Sequence, residues 1–324
     1  MSHAIRIHAH GGPEVMQWEA VTLPAPGAGE ALVRHTAVGV NFIDTYHRSG
    51  AYPLPLPSGL GMEAAGVVEA VGPDVSDIAP GDRVVYASGP IGSYAEQRVM
   101  PAAGLVKLPD GVDDQVAASS FLRGMTARYL LRQTFPVKHG DTVLMHAAAG
   151  GVGLILCQWA KALGCTVIGT VSSRAKAELA AANGCDHVVV TGEQSFIEVC
   201  RAVTNGRGVD VVYDGVGKDT FFDSLDCLRP RGMMALFGAS SGPVPPIDLQ
   251  VLAKKGSLFI TRPTLFSYVA TRPELLENAA EFFAAVANGS VNISIGQTFP
   301  LAAAADAHRA LESRATTGST LLTV

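Results

Sequence analysis

Residues 141–164 read Asp141-Thr-Val-Leu-Met-His-Ala-Ala-Ala-Gly-Gly-Val-Gly-Leu-Ile-Leu-Cys-Gln-Trp-Ala-Lys-Ala-Leu-Gly164. An apolar strand at Thr142–His146 runs through Ala148-x-x-Gly151-x-Gly153 into an amphipathic helix at Val152–Leu163, and a second strand follows at Thr166–Thr170. Strand, glycine turn and helix in this order form a site for a dinucleotide pyrophosphate. The phosphates approach backbone N–H groups at a helix N-terminus, where the dipole favours negative charge. Side chains in the turn would block that approach, which accounts for Gly150, Gly151 and Gly153.

Working outward, strands and helices alternate. Ala175–Ala182, Phe196–Thr204 and Thr220–Leu228 read as helices, and His187–Val190, Val209–Tyr213 and Met233–Phe237 as Val/Ile-rich strands. This alternation predicts a doubly wound parallel sheet. Phe121–Arg132 reads as a helix before it, and Pro273–Asn288 and Ala302–Ser313 as helices after it, with a last strand at Ser319–Val324. The first third is different. Ile5, Ile7 and Ala9 alternate with polar residues, and Ala31–Val38, Gly66–Val71, Arg83–Tyr86 and Ser93–Val99 are short strand candidates between Pro/Gly turns. Short strands at this spacing predict a small barrel or sandwich. At 324 residues the chain has room for about two domains.

The end of the second strand of the sheet selects between nicotinamide cofactors. Folds that use NAD place an Asp or Glu about 20 residues beyond the glycines to bond the ribose 2′-hydroxyl. Here the segment is Gly169-Thr-Val-Ser-Ser-Arg-Ala-Lys176, without an acid until Glu178. Ser172, Ser173, Arg174 and Lys176 are suited to a 2′-phosphate through charge-assisted hydrogen bonds, so the corner predicts NADPH. Arg174 and Lys176 also suit the exposed start of a helix.

Composition removes other classes. Hydrophobic residues make up 48% and charged residues 16%, as in a folded globular protein. The net charge of −5 and 6% aromatic content leave no basic, aromatic stripe for nucleic acid. No membrane span is predicted: the longest apolar stretch, Ala147 to Cys157, falls short of the ~20 residues a bilayer requires. The opening residues carry no secretory apolar run. The five cysteines lie at Cys157 and beyond, odd in number and without a CxxC, so free thiols and a reducing cytoplasm are expected. No metal is predicted. Two-domain zinc alcohol dehydrogenases need a catalytic Cys and a Gly-His-Glu, where this chain has Asn41-Phe-Ile-Asp44 and Gly61-Met62-Glu63; His35 and His47 lack partners at ligand spacing.

Further segments carry a family resemblance: His10-Gly-Gly-Pro-Glu14, Val40-Asn-Phe-Ile-Asp-Thr-Tyr46, Arg48-Ser-Gly-x-Tyr52, Pro80-Gly-Asp-Arg-Val84, Val212-Tyr-Asp-Gly-Val-Gly217 and Thr261-Arg-Pro263. With the 147–161 segment, they make the whole chain resemble the zeta-crystallin-like quinone oxidoreductases of the zinc-independent medium-chain dehydrogenase/reductase family. The resemblance implies a GroES-like catalytic domain (1–121 and 265–324) with a Rossmann domain (122–264) inserted. It also implies a homodimer, and passage of reducing equivalents from NADPH to a quinone in the interdomain cleft. By position, Asn41 and Tyr46 stand beside the nicotinamide and Tyr52 lines the acceptor site. Thr126 contacts the cofactor, Gly151 and Val152 meet the pyrophosphate, and Ser172 and Lys176 meet the 2′-phosphate. Phe237, Gly238 and Ser240 border the nicotinamide ribose, and Arg314 reaches the cofactor. Thr191 stands where close relatives place a Tyr over the adenine-side phosphate. Read without the resemblance, Tyr46 and Tyr52 are equally half-buried barrel aromatics, and Asn41 a turn residue.

No His–carboxylate or Ser–Tyr–Lys constellation stands out near these positions, so no essential proton-transfer residue is expected. The same scaffold also suits an enone or 2-alkenal reductase, which fold and cofactor motif do not separate from a quinone reductase. The apolar Ser257-Leu-Phe-Ile-Thr261 reads as an exposed sheet edge through which two copies would pair.

Overall fold

The computed structural model describes residues 2–313 and 316–324. Two units divide the chain: Met1–Leu122 with Thr271–Ala279 and Ile293–Val324, and Arg123–Ala270 with Ala280–Asn292.

The first unit opens with strands β1 (Ser2–Ile7), β2 (Met16–Val21) and β3 (Glu30–Val40), then helix α1 (Phe42–Ser49). Strands β4 (Ser58–Gly59), β5 (Glu63–Val71), β6 (Arg83–Tyr86), β7 (Gln97–Pro101) and β8 (Val106–Lys107) follow, and then helix α2 (Asp114–Tyr129). Next come β9 (Thr142–Met145), α3 (Gly151–Ala162), β10 (Thr166–Val171), α4 (Arg174–Ala182), β11 (His187–Val190) and α5 (Phe196–Val203). The alternation continues with β12 (Val209–Asp214), α6 (Phe221–Leu225), β13 (Leu228–Leu236), α7 (Gln250–Lys254) and β14 (Phe259–Thr261). Helix α8 (Arg272–Ala287), β15 (Ile295–Pro300), α9 (Ala304–Glu312) and β16 (Ser319–Thr323) complete the described elements.

In the first unit a seven-stranded sheet runs β15-β16-β3-β5-β6-β8, with β7 also paired to β3, and a second sheet runs β2-β1-β4. Strand β3 shows how sequence becomes burial. Ala31, Val33 and His35 are buried while Leu32 and Arg34 are not, the period of a strand with one wet face. From Ala37 to Val40 every residue is buried, because here the second face is covered too: a Cβ on Gly39 would run into the Ala118 carbonyl of α2. Ile5, Ile7, Val33, Val84, Tyr94 and Leu322 share the core, each contributing about 1.5–3 kcal/mol of burial for its aliphatic or aromatic surface.

In the second unit all six strands are parallel, in the order β11-β10-β9-β12-β13-β14. Counted within the unit this is 3-2-1-4-5-6, the doubly wound order whose direction reverses between its first and fourth strands, here β9 and β12. Both of those strands are buried along their length, as interior parallel strands covered on two faces must be. Ligands of such sheets bind at the carboxyl ends of the strands beside this reversal.

Several elements differ from the expectation. The helix expected at Phe121–Arg132 begins earlier, as α2 at Asp114, and ends in a π-helical segment at Leu130–Thr134. The Ser93–Val99 strand starts only at Gln97; before it, Ile5 N–H donates to Tyr94 O and Glu96 N–H to His3 O, a brief pairing with β1. Helix α6 is shorter than 220–228 because β13 already starts at Leu228. Helices α1 and α7 and strands β2, β4, β8 and β15 are not expected from the sequence pattern. Among the described residues no helix is long and apolar enough to cross a membrane.

Candidate active site

In the second unit the chain leaves β9 through His146–Gly150 and enters α3. Ala147 lies in the left-handed region at φ 55, a conformation costing an L-residue about 1–2 kcal/mol. Gly150 N–H closes the turn on Ala147 O at 2.9 Å. His146 fastens the strand end: its Nδ1 is 2.9 Å from Thr170 Oγ1 and its Nε2 2.8 Å from Ser224 Oγ. Burial lowers its pKa, so this ring is a neutral strut. A Cβ on Gly153 would stand 2.4 Å from Ala147 O and 2.6 Å from Ala148 O, both backbone atoms that cannot move aside. A Cβ on Gly151 would meet Arg123 Nε at 2.5 Å. Gly150 differs: apart from Ala147 O at 3.2 Å, its Cβ would project into open space among the described residues. The first bond within α3 runs from Leu154 N–H to Gly150 O, so the N–H groups of Gly151, Val152 and Gly153 precede the intrahelical ladder.

The ends of β10 and β11 lie side by side, with Val171 opposite Val190. Thr191 joins them, its N–H and Oγ1 donating to Val171 O at 2.8 and 3.1 Å. Ser173 caps α4, its Oγ accepting the Lys176 N–H at 3.3 Å. Ser172, Arg174 and Thr191 are exposed, and Ser173 and Lys176 half-buried. Arg174 is not open to solvent on all sides: its guanidinium pairs at 3.2 Å with Glu193, from the loop after β11. The sequence reading missed that partner.

Across the sheet reversal, Asp214 ends β12 fully buried. Its Oδ1 accepts Val216 N–H at 2.6 Å and Gly217 N–H at 3.1 Å, and its Oδ2 accepts Thr220 Oγ1–H at 2.7 Å. The carboxylate therefore builds the Asp214–Gly217 turn. Phe237 and Gly238 donate backbone N–H bonds to Asp214 O, and Ser240 to Gly215 O. A Cβ on Gly238 would lie 2.5 Å from Gly215 O, while Phe237 covers Gly215. The ends of β9, β10, β12 and β13 thus bring Gly150–Gly153, Ser172–Lys176 and Phe237–Ser240 to the carboxyl edge of one sheet. Thr126 is buried on α2, one turn before Tyr129, whose ring stacks on Tyr268 at 4.4 Å.

In the first unit Asn41, Tyr46 and Tyr52 gather on and beside α1. Asp44 Oδ2 accepts the Asn41 N–H at 2.8 Å, and Gly50 ends the helix at φ 83. The Asn41 amide donates to the fully buried Glu63 Oε2 at 2.7 Å, and Glu63 Oε1 accepts Leu122 N–H at 2.6 Å. Tyr46 packs between Phe42 and Tyr52, with ring centroids at 5.4 and 5.2 Å, and Tyr52 is 40% exposed.

Behind α1 runs a polar relay absent from the sequence reading. Arg48 Nη1 donates to His308 Nδ1 at 2.9 Å. Burial, aided by the Arg48 charge, holds the His308 pKa down at about 3. The neutral ring therefore carries its proton on Nε2 and donates to Tyr94 Oη at 3.0 Å. Tyr94 O–H donates in turn to Asp44 Oδ2 at 2.9 Å, and Glu312 pairs with Arg48 at 2.6 Å. Local motifs hinted at Asp44, Arg48 and, through Gly61-Met62-Glu63, at Glu63; Tyr94, His308 and Glu312 come from distant segments without such a signal. Arg314 lies outside the described residues.

Residues 27–110 match the family model of the alcohol dehydrogenase GroES-like domain, and residues 151–285 that of zinc-binding dehydrogenase. A quinone oxidoreductase of Pseudomonas aeruginosa is 51% identical over 323 residues, covering 99% of both chains. A 2-haloacrylate reductase from a Burkholderia species is 50% identical over 330 residues, again with 99% of each covered. The solved quinone oxidoreductase of Escherichia coli, complexed with NADPH, superposes with a TM-score of 0.97 at 49% identity, covering 99% of this chain and 100% of that one. The chain belongs to the quinone oxidoreductase family of medium-chain dehydrogenases/reductases.

Proposed function

We propose that the chain reduces quinones with NADPH, without zinc. The observation that carries this reading is the corner at the ends of β10 and β11. There Ser172, Ser173 and Lys176 gather, and no acid follows β10 where NAD-specific folds keep one. The quinone oxidoreductase relatives and the NADPH-bound structure of one of them support it.

The turn fits the dinucleotide: open space at Gly150 and the leading N–H groups of α3 suit a pyrophosphate. In this reading Gly150–Gly153 hold the pyrophosphate, and Ser172, Ser173 and Lys176 the 2′-phosphate, with Arg174 and Thr191 beside them. Phe237, Gly238 and Ser240 line the nicotinamide ribose, with Thr126 as a further contact and Arg314 as another. When bound, NADPH supplies the reducing equivalents. Asn41, held by Glu63, and Tyr46 orient the reacting partners, and Tyr52 meets the acceptor. A hydrogen bond from a tyrosine hydroxyl or from solvent stabilises the charge that develops on the quinone oxygen. The buried His308–Tyr94–Asp44 relay positions α1 rather than supplying a proton, since burial keeps the imidazole neutral and Arg48 occupies its second nitrogen.

Zinc independence rests on residue types: no cysteine precedes Cys157, and the Asn41 amide is committed to Glu63. Activity unaffected by a strong chelator supports it; loss restored by zinc overturns it. We also propose a homodimer in the cytoplasm. Strand β14 is the sheet edge and Phe259 is 57% exposed on it. Light scattering at micromolar concentration should give twice the 33.7 kDa chain mass.

The main test is fluorescence titration with NADPH and NADH. We expect NADPH to bind more tightly, and Lys176→Ala to weaken NADPH alone. Failure to bind either cofactor defeats the reading. Tyr46→Phe and Tyr52→Phe should keep turnover within about tenfold of the parent; abolished turnover with intact NADPH affinity makes one of them a required proton donor. The 2-haloacrylate reductase relative favours a second reading, reduction of an activated alkene with proton delivery to the α-carbon. Parallel turnover of a naphthoquinone and a simple enone separates the two.

A further inference from the structure

We infer that Glu193 is a specificity-determining residue that lowers the preference for a 2′-phosphorylated cofactor by engaging Arg174. The inference rests on the assignment of the Ser172–Lys176 corner to the 2′-phosphate. Arg174, the first residue of α4, follows the two serines and is the group best able to grip a phosphate through two parallel N–H bonds. Its Nε and Nη2 are instead turned onto the Glu193 carboxylate, Nε to both oxygens and Nη2 to Oε2, each at 3.2 Å. Glu193 is held in place by the loop that follows β11: its N–H donates to Val190 O at 3.1 Å, and Thr191 is doubly bonded to Val171 O just before it.

The pair has no net charge, so Arg174 adds little attraction for an approaching anion. The carboxylate adds repulsion against a phosphate that carries close to two negative charges. Both side chains are solvent-exposed, 83% and 43%, and exposed ion pairs of this kind are weak enough to exchange for another anion. A 2′-phosphate therefore competes with Glu193 for Arg174, whereas a 2′-hydroxyl does not.

Binding of 2′,5′-ADP and 5′-AMP to the full chain, alongside NADPH and NADH, tests this without reference to turnover. Glu193→Gln preserves shape and removes the charge. We expect it to tighten 2′,5′-ADP and NADPH by about fivefold to twentyfold, leaving 5′-AMP and NADH within about twofold. Arg174→Ala should weaken NADPH in the parent, because it leaves the Glu193 charge unpaired, and abolish the whole gain in the Glu193→Gln background. An unchanged NADPH-to-NADH ratio in Glu193→Gln overturns the inference, as does a gain that survives Arg174→Ala. Lys176→Ala separates the two levels. If it leaves 2′,5′-ADP binding intact, the phosphate assignment itself fails; if it weakens 2′,5′-ADP while Glu193→Gln has no effect, only the role of Glu193 fails.

Discussion

The turn at Gly150–Gly153 is made of backbone, and the contacts that shape it lie mostly within a few residues, joined by the strut of His146, the Ala148 N–H bond to Thr170 O and the packing of Arg123. The surface around α1 is made of side chains, and the groups that hold it are as far apart in sequence as Arg48 and Glu312, 264 positions. The first arrangement has no room for an added atom at Gly153, where two backbone carbonyls stand in the way. The second tolerates small changes of shape but no loss of a polar partner. One site is limited by space and the other by hydrogen bonding.

The sharpest way to separate them is acid. Burial lowers the pKa of His35 to about 4 and of His308 to about 3, and shifts His47 in the same direction, all in the first unit; the second has His146. An unfolded histidine takes its proton near pH 6.5, so these rings contribute fully above that value and lose their contribution as pH falls toward the folded values. Urea unfolding at about pH 5 should show about 3–4 kcal/mol less stability than at about pH 7.5 from His35 and His308 together. Their replacement by Gln should flatten the profile.

Arg48→Ala removes the link between α1 and α9. The side chain is 3% exposed, and its loss leaves His308 Nδ1 and Gly11 O without their donor; breaking such a pair costs about 3 kcal/mol. Denaturant titration should report that loss, with NADPH affinity little changed and kcat reduced, because only the α1 surface is disturbed. A variant that loses cofactor affinity in proportion would erase the contrast.

Gly153→Ala probes the opposite limit. One methyl against two backbone carbonyls should cost about 2 kcal/mol and weaken NADPH at least tenfold, readable by thermal unfolding and titration. Unchanged affinity would mean that the turn has more freedom than its contacts indicate. The smallest effect is expected from Thr191→Tyr, which sets an aromatic ring beside the corner and should tighten NADPH about threefold by titration.

The same contrast explains what could be read in advance. The parallel sheet was legible because its central strands are buried on both faces and appear as short apolar segments such as Val143–Met145 and Val211–Tyr213. The glycine turn was legible because its constraints are local. Helix α1 was missed although its markers were present: Asn41 and Asp44 at cap spacing, and Gly50 at the end. Its Phe42, Ile43, Thr45 and Tyr46 favour strands, and the helix is maintained by packing and capping more than by propensity. Tyr94 and His308 belong to a network assembled by tertiary contact, for which no local pattern exists. Arg174 was noted, but its partner Glu193 was not, because nineteen residues separate them and only the β10–β11 register brings them together.

The separation of Arg48 from His308, 260 positions along the chain, also has a meaning in time. At about 5–20 residues per second, a ribosome exposes α1 some tens of seconds before it delivers the imidazole that completes the relay. The segment Arg123–Ala270 is synthesised in that interval, with all six of its strands in hand. The newborn chain should therefore gain its nucleotide-binding sheet while the helix carrying Tyr46 still waits for its anchor, and a chaperone that shields α1 during that interval would act on yield without touching the finished enzyme.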